Sequence, residues 1–234
     1  MIWFALGAAI VVAAIVIMRL LMTRTGCKAR TTDLRVAIPD FPEDSGSVRV
    51  VFLSDLHVGR LNVPAEELVG AVNAAAPDLL LLGGDYTGHP RNRGDALELI
   101  RQLSAGRPCF AVLGNADRHH GLDRQALRDL LRAGGGDLLI NEAARVRMAD
   151  ATIEVLGVDD PLRGNADVDA TLADAGEGAD LRIGLCHSPA AWRELAELDA
   201  AIMLTGHTHG GQLRVPGLEA HFTHLTYPRR LAAG

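Results

Sequence analysis

The chain has 234 residues, of which 48% are hydrophobic, 22% charged and 4% aromatic, with a net charge of −6. That apolar fraction supports one domain with a sizeable core and excludes a disordered chain. The 25 glycines follow no period, which excludes a collagen-like repeat, and three cysteines, an odd number, argue against a disulfide framework. Residues 1–35 carry five basic residues against Asp33, which leaves −10 for residues 36–234. So acidic a body excludes a nucleic-acid backbone as the expected partner unless metal ions reverse the local sign.

Taken in chain order, residues 2–18 (IWFALGAAIVVAAIVIM) form a run without charge, and Leu20, Leu21 and Met22 extend it past Arg19. At roughly 1.5 Å per helical residue the run reaches about 32 Å, enough to cross a hydrocarbon core. Residues 1–22 are therefore expected to be a single transmembrane anchor. A cleaved signal peptide would carry its basic residues before the run, whereas Arg24, Lys28, Arg30 and Arg35 come after it. By the positive-inside rule this flank is cytoplasmic, so the expected location is the inner membrane with the domain on its cytoplasmic side. Residues 23–47 contain Pro39, Pro42, Ser45 and Gly46 and read as a basic juxtamembrane linker.

From Val48 the chain alternates strand and helix. Val48 to Ser54 is a continuous apolar run, as in a strand buried on both faces. Pro64 to Ala75 reads as helix with Pro64 in its first turn, and Asp78 to Leu82 as the next strand. Gly94–Leu103 and Asp123–Arg132 read as helices around a strand at Cys109–Leu113. Weaker strands follow near 138–140, 145–148 and 152–156, suggesting a second sheet. Leu181–Cys186 reads as strand, Ala190–Leu198 as helix and Ala201–Leu204 as strand, with another strand able to begin at Gln212–Val215. Asp117–Gly121 reads as a polar loop. Such alternation gives an α/β fold.

The polar residues fall at strand ends. Asp55 and His57 follow the first strand, Asp85 the second, Asn115 and Asp117 the third, and His187, His207 and His209 the last two. Ligands of α/β sheets bind there. Asp55, His57, Asp85, Asn115, His187, His207 and His209 supply seven oxygen or nitrogen donors and no thiolate. That set suits Mn²⁺, Fe²⁺, Zn²⁺ or Mg²⁺, and two ions sharing a carboxylate would use it fully.

In order, Asp55-Leu56-His57, Gly84-Asp85, Gly114-Asn115, His187 and Gly206-His207-Thr208-His209 resemble the motifs of the calcineurin-like metallophosphoesterase superfamily. The run GHTHGGQLRVPG (206–217), after an apolar N-terminal segment, resembles its membrane-associated bacterial phosphodiesterase branch, similar to UDP-2,3-diacylglucosamine pyrophosphohydrolase-type enzymes. The resemblance implies two β-sheets packed as a sandwich between helices (α-β-β-α), occupying residues 48–234. It also implies that Asp55, His57 and His209 hold one divalent ion, that Asn115, His187 and His207 hold another, and that Asp85 bridges them. Mn²⁺ is the favoured ion. Asp85, Asn115 and His187 would stand at the reaction centre, where a metal-bridging hydroxide attacks phosphorus. The expected activity is hydrolysis of a phosphodiester or pyrophosphate bond in a small molecule, lipid-linked or nucleotide-linked. A phosphomonoesterase, or a membrane-tethered protein that binds metal without turnover, is the alternative.

Two departures bear on that expectation. Family members commonly read Gly-Asn-His at the third strand end, whereas Ala116 stands here, and alanine cannot protonate a leaving group. His119 or His120 can replace the missing acid, and Arg118 can clamp a phosphate oxygen. Similar chains also continue with further strands, whereas this one stops at Gly234, so a sheet edge or substrate wall is expected to be missing. His89, His221 and His224 are read as rim or surface residues and Cys186 as core.

Overall fold

Four consecutive leucines set the layering. All four residues of the strand Leu79–Leu82 are fully buried. Successive strand side chains point to opposite faces, so Leu80 and Leu82 join one hydrophobic cluster while Leu79 and Leu81 join another. The computed structural model describes residues 28–209 except 40, 43 and 45.

The first sheet is parallel, in the order β1 (Val50–Leu53), β2 (Leu79–Leu82), β3 (Cys109–Ala111) and β4 (Asp137–Leu138). The chain returns between strands through α1 (Ala65–Ala75), α2 (Arg93–Leu103), the short α3 (Asn115–His120) and α4 (Arg124–Ala133). Val72, Ile100 and Leu131 from these helices pack against Leu80 and Leu82. The second sheet runs in the order β5 (Glu142–Met148), β6 (Ala151–Val158), β7 (Leu181–Cys186) and β8 (Ile202–Thr205). Its first pair is antiparallel and the rest parallel. Leu79, Leu81 and Phe110 meet Ile153, Val155 and Ile183 in the layer between the sheets. On the outer face, Leu156, Val158 and Cys186 lie under α5 (Val168–Asp174) and α6 (Trp192–Leu195) with the short 3₁₀ turns flanking α6. The result is the expected α/β fold, two sheets flanked by helices.

The strand expected at 181–186 is β7, and the helices expected at 64–75 and 123–132 differ from α1 and α4 by one residue. The segment expected as a loop around Asp117 is instead α3. Its residues 117–120 have no apolar period. The helix is closed by Gly114 N–H donating to the Asp117 carboxylate at 3.0 Å and by left-handed Gly121 at its end. The helix expected over 190–198 breaks into two 3₁₀ turns around α6, and the strand proposed at 212–215 lies outside the described residues. Within the expected linker, Ile38 and Phe41 pack against the inter-sheet cluster.

The expected single-pass location at the inner membrane is corrected. Among the described residues no helix is long and apolar enough to cross a membrane, and residues 1–22, on which that expectation rested, lie outside them.

Candidate metal centre

Beyond their last residues, β1 and β2 continue to pair. Asp55 N–H donates to Gly84 O at 3.0 Å, His57 N–H to Asp85 O at 2.9 Å and Val58 N–H to Tyr86 O at 2.7 Å. This zipper sets Asp55 and His57 beside Asp85. Asp55, His57, Asp85, His207 and His209 all have φ between +41° and +68°. Outside glycine that region is sparsely populated, and Asp and His enter it more readily than bulky residues do. Strain of this kind gathers at functional sites.

The side chains form two groups. Asp55, His57 and His209 offer ligand atoms all within 4.8 Å of one another, as do Asp85, His187 and His207. The His57 and His209 rings stack at 5.1 Å between centroids, and His187 meets His207 edge-on at 5.2 Å. Asn115 joins the second group, its Oδ1 3.2 Å from His187 Nε2. Asp85 stands between the groups, with Oδ2 3.5 Å from His57 Nε2 and Oδ1 3.5 Å from His187 Nε2. Asp55 Oδ1 and His209 Nε2 are also 3.5 Å apart. That spacing is long for a hydrogen bond, but two donors bound at about 2.1 Å to one ion stand roughly 3.0–3.4 Å apart. With only oxygen and nitrogen donors, the residues fit divalent ions of the borderline and hard classes. All seven donors nominated from the sequence converge.

A further layer of contacts orients them. His187 is fully buried, and its Nδ1 lies 2.7 Å from Gly83 O, which fixes the Nδ1–H tautomer and leaves the Nε2 lone pair toward Asp85. Asp55 accepts from His207 N–H at 2.9 and 3.1 Å, and Asp85 Oδ1 accepts from Ala116 N–H at 2.7 Å. A Cβ at Gly114 would sit 2.1 Å from Asp85 Oδ1, so the carboxylate can lie there only over glycine. Burial, above all, lowers the pKa of His57 and of His207, favouring the neutral form that binds metal.

Tyr86 and Asp117, the latter noted in the sequence only as a strand-end residue, support the donors. Asp117 accepts from the N–H groups of Asp85, Tyr86, Thr87 and Gly114 at 2.7–3.1 Å and so buckles the turn carrying Asp85 to α3. Burial pushes its carboxyl up to about 7, against the pull of these donors. The Tyr86 hydroxyl, fully buried, accepts from Gly84 N–H and lies 2.6 Å from Val112 O. The sequence signal for Asp117 was its position three residues after Gly114, the spacing of a capping box.

Around the centre, Ala116 is buried and its methyl group brings no proton donor. Arg118 pairs through Nη2 with Asp159, just past β6, and both side chains are largely buried. The rings of exposed His119 and half-buried His120 are 5.0 Å apart. Cys109 and Cys186 are buried free thiols, and burial pushes Cys186 up to about 12, so it is inert core as expected. His221 and His224 lie outside the described residues.

The chain is similar to known proteins over most of its length. The family described as calcineurin-like phosphoesterase matches residues 48–211. Phosphodiesterase YaeI of Escherichia coli is 31% identical over 189 residues, covering 78% of this chain and 68% of that protein. In Bacillus subtilis the uncharacterized metallophosphoesterases YkuE and YkoQ are 28% and 27% identical over 192 and 195 residues. Each match covers 80% of this chain, and they cover 66% and 72% of the respective relatives, so the match spans about two thirds of the relatives' own length.

Proposed function

The chain belongs to the calcineurin-like phosphoesterase family, and on that premise we propose that it hydrolyses a phosphodiester or pyrophosphate bond at a two-ion centre. Asp55, His57 and His209 would hold one ion and Asn115, His187 and His207 the other, with Asp85 placed to serve both. The observation that carries this reading is the placement of Asp85, whose two oxygens each stand 3.5 Å from an imidazole of a different group. Bound divalent ions, Mn²⁺ foremost, supply Lewis acidity to the phosphoryl oxygens and a water that is nucleophilic near neutral pH.

The chain does the rest. His187 keeps one tautomer because Gly83 O holds its Nδ1 proton. Asp55 and Asp85 balance the cationic charge while backbone N–H groups fix their carboxylates in place. Asp85, between the two groups, and Asn115 and His187, of the second, face the reacting phosphoryl group. Ala116 offers no proton to the departing oxygen, which favours leaving groups already stable as anions. A pyrophosphate or an aryl phosphodiester meets that condition better than an alkyl ester, and phosphodiesterase YaeI is a relative of this chain. The lipid-linked part of the expected substrate rested on residues 1–22 and is not carried forward.

The test is metal content together with substrate preference. Purified protein loaded with Mn²⁺ is expected to hold two ions per chain and to prefer bis-p-nitrophenyl phosphate over p-nitrophenyl phosphate. A single ion per chain, or preference for the monoester, overturns the reading.

A further inference from the structure

Three strands of the second sheet end level with one another. Val158 of β6 pairs with Cys186 of β7, and Cys186 pairs with Thr205 of β8. The chains stay side by side past those ends, since Gly206 N–H donates to His187 O at 2.9 Å and the Cys186 thiol to Asp159 O at 3.7 Å. Asp160 and His207 therefore each stand two residues beyond a strand end, with the chain at His187 and Ser188 between them.

The turn after β6 is built around two carboxylates and engages them unequally. Asp159 accepts from the N–H groups of Asp160 and Asn165 at 2.8 and 3.0 Å and pairs with Arg118, so both of its oxygens are occupied. Asp160 accepts from Arg163 N–H through Oδ2 at 2.7 Å, and its carbonyl closes the turn by accepting from Gly164 N–H at 2.8 Å. A Cβ at Gly164 would sit 2.6 Å from that carbonyl oxygen and from the Asp159 carboxylate, so the turn closes only over glycine. Asp160 is fully buried, and its other oxygen, Oδ1, has no partner among the described residues. A buried acceptor left unpaired costs stability, and in a folded chain it calls for a water, an ion or a function.

The imidazoles of the second group lie beside this carboxylate. Burial, above all, raises the pKa of Asp160, while the rings of His187 and His207 pull it down. At His207, where burial lowers the pKa, Asp160 acts the other way, so the two side chains are within electrostatic reach. His187 has no nitrogen to spare, because Gly83 O holds Nδ1 while Nε2 faces Asp85 and Asn115. The His207 ring meets His187 edge-on, and among the described residues only its backbone N–H is hydrogen-bonded, to Asp55. A neutral imidazole that gives one nitrogen to a divalent ion carries an N–H on the other. We propose that Asp160 is a positioning residue of the second group, whose free oxygen accepts that N–H of His207, directly or through one water. The proposal rests on the two-ion reading and adds a residue outside its seven donors. It also answers an asymmetry, since the first group has Asp55 as a carboxylate of its own while the second has only Asp85, which both share. An outer carboxylate at Asp160 fixes the His207 ring and offsets cationic charge on the poorer side.

Asp160→Asn is the discriminating change, because the amide oxygen can keep the Arg163 N–H while the NH₂ offers His207 no acceptor. Calorimetric titration of the metal-stripped full chain with Mn²⁺ is expected to show two ions in wild type. In the variant the first ion should bind as before and the second about 10–100-fold more weakly, the effect of losing a ligand's orienting partner. Thermal melts of the metal-free forms separate this from a role in folding. The oxygen removed has no partner in the fold, so Asp160→Asn should melt at or above wild type. Asp160→Ser, too short to reach the ring, should behave alike. Unchanged affinity for both ions, equal weakening of both, or metal-free melts well below wild type in both variants overturns the proposal. A wild type that binds a single ion overturns the two-ion reading instead, and the effect of Asp160→Asn on that ion then decides the positioning role.

Discussion

His187 Nδ1 lies 2.7 Å from Gly83 O, a contact between residues 104 positions apart that joins the end of β7 to the end of β2. The ring is thereby held with Nε2 3.5 Å from Asp85 Oδ1. Four of the seven donors follow strands of the first sheet and three follow strands of the second, and this hydrogen bond ties the two sets together.

Asp85 is the residue on which both halves depend. Asp85→Asn removes the charge and one good acceptor from between His57 and His187. Orienting partners of metal ligands alone are worth about 10–100-fold, so the metal-dependent hydrolysis of bis-p-nitrophenyl phosphate should fall by about 10²-fold or more. Steady-state kinetics with parallel metal analysis checks this, and a variant with full ion content and activity within tenfold of wild type would contradict it.

Ala116→His supplies the missing acid at a buried position beside Asp85. Rates on esters with poor leaving groups should rise, with about 10²–10⁴-fold as the range for a general acid, while activated nitrophenyl esters change little. The check is the dependence of log kcat/KM on leaving-group pKa across a series of aryl phosphodiesters. The slope should be shallower in the variant, and an unchanged slope argues that the loss of this histidine is immaterial.

Arg118→Ala should destabilise the fold by about 3 kcal/mol, because removal of one partner of a buried pair strands the other. The carboxylate of Asp159 is 4% exposed and keeps only the N–H groups of Asp160 and Asn165. Arg118 thus ties α3 to the loop after β6. Urea denaturation of Arg118→Ala, Asp159→Asn and the double variant tests the pair. The double variant should recover part of the loss, and strictly additive losses would show no coupling.

Metal affinity should fall with acid, but below the ordinary histidine range. Burial lowers the pKa of His57 and His207 from 6.5, so near pH 6.5 both rings are neutral and ligand-ready to a greater extent than free imidazoles. For the same reason the unfolded chain binds more protons than the folded one just below pH 6.5, and stability of the metal-free protein falls as the pH drops through that window. Competition binding of Mn²⁺ and thermal melts at pH 7.5, 6.5 and 5.5 read both effects. A drop in affinity already complete at pH 6.5 would contradict the direction of the shifts.

The layering and the seven donors were legible in the one-dimensional order because they rest on local patterns. Asp78-Leu79-Leu80-Leu81-Leu82 can be buried on both faces only as an inner strand, and each donor follows such a run. α3 was not legible, since Asp117-Arg118-His119-His120 lacks an apolar stripe and its helix is held from outside. Asp117 receives N–H groups from the turn 85–87, about 30 residues earlier. The engagement of Arg118 was hidden for the same reason, because Asp159 lies 41 residues away, just past a strand of the other sheet. The breaks around α6 depend on Pro189 and on left-handed Asp199 at the end of the segment, which composition alone reads as a continuous helix.

The left-handed backbone at Asp55, His57, Asp85, His207 and His209 has a consequence for how this chain can vary. At each of these positions the backbone by itself would be most comfortable with glycine. A search for thermal robustness in the metal-free chain would therefore converge on deleting the side chains one by one. Their presence records a demand other than folding, and a variant of this protein that melts higher after such a change has gained its robustness by surrendering the centre.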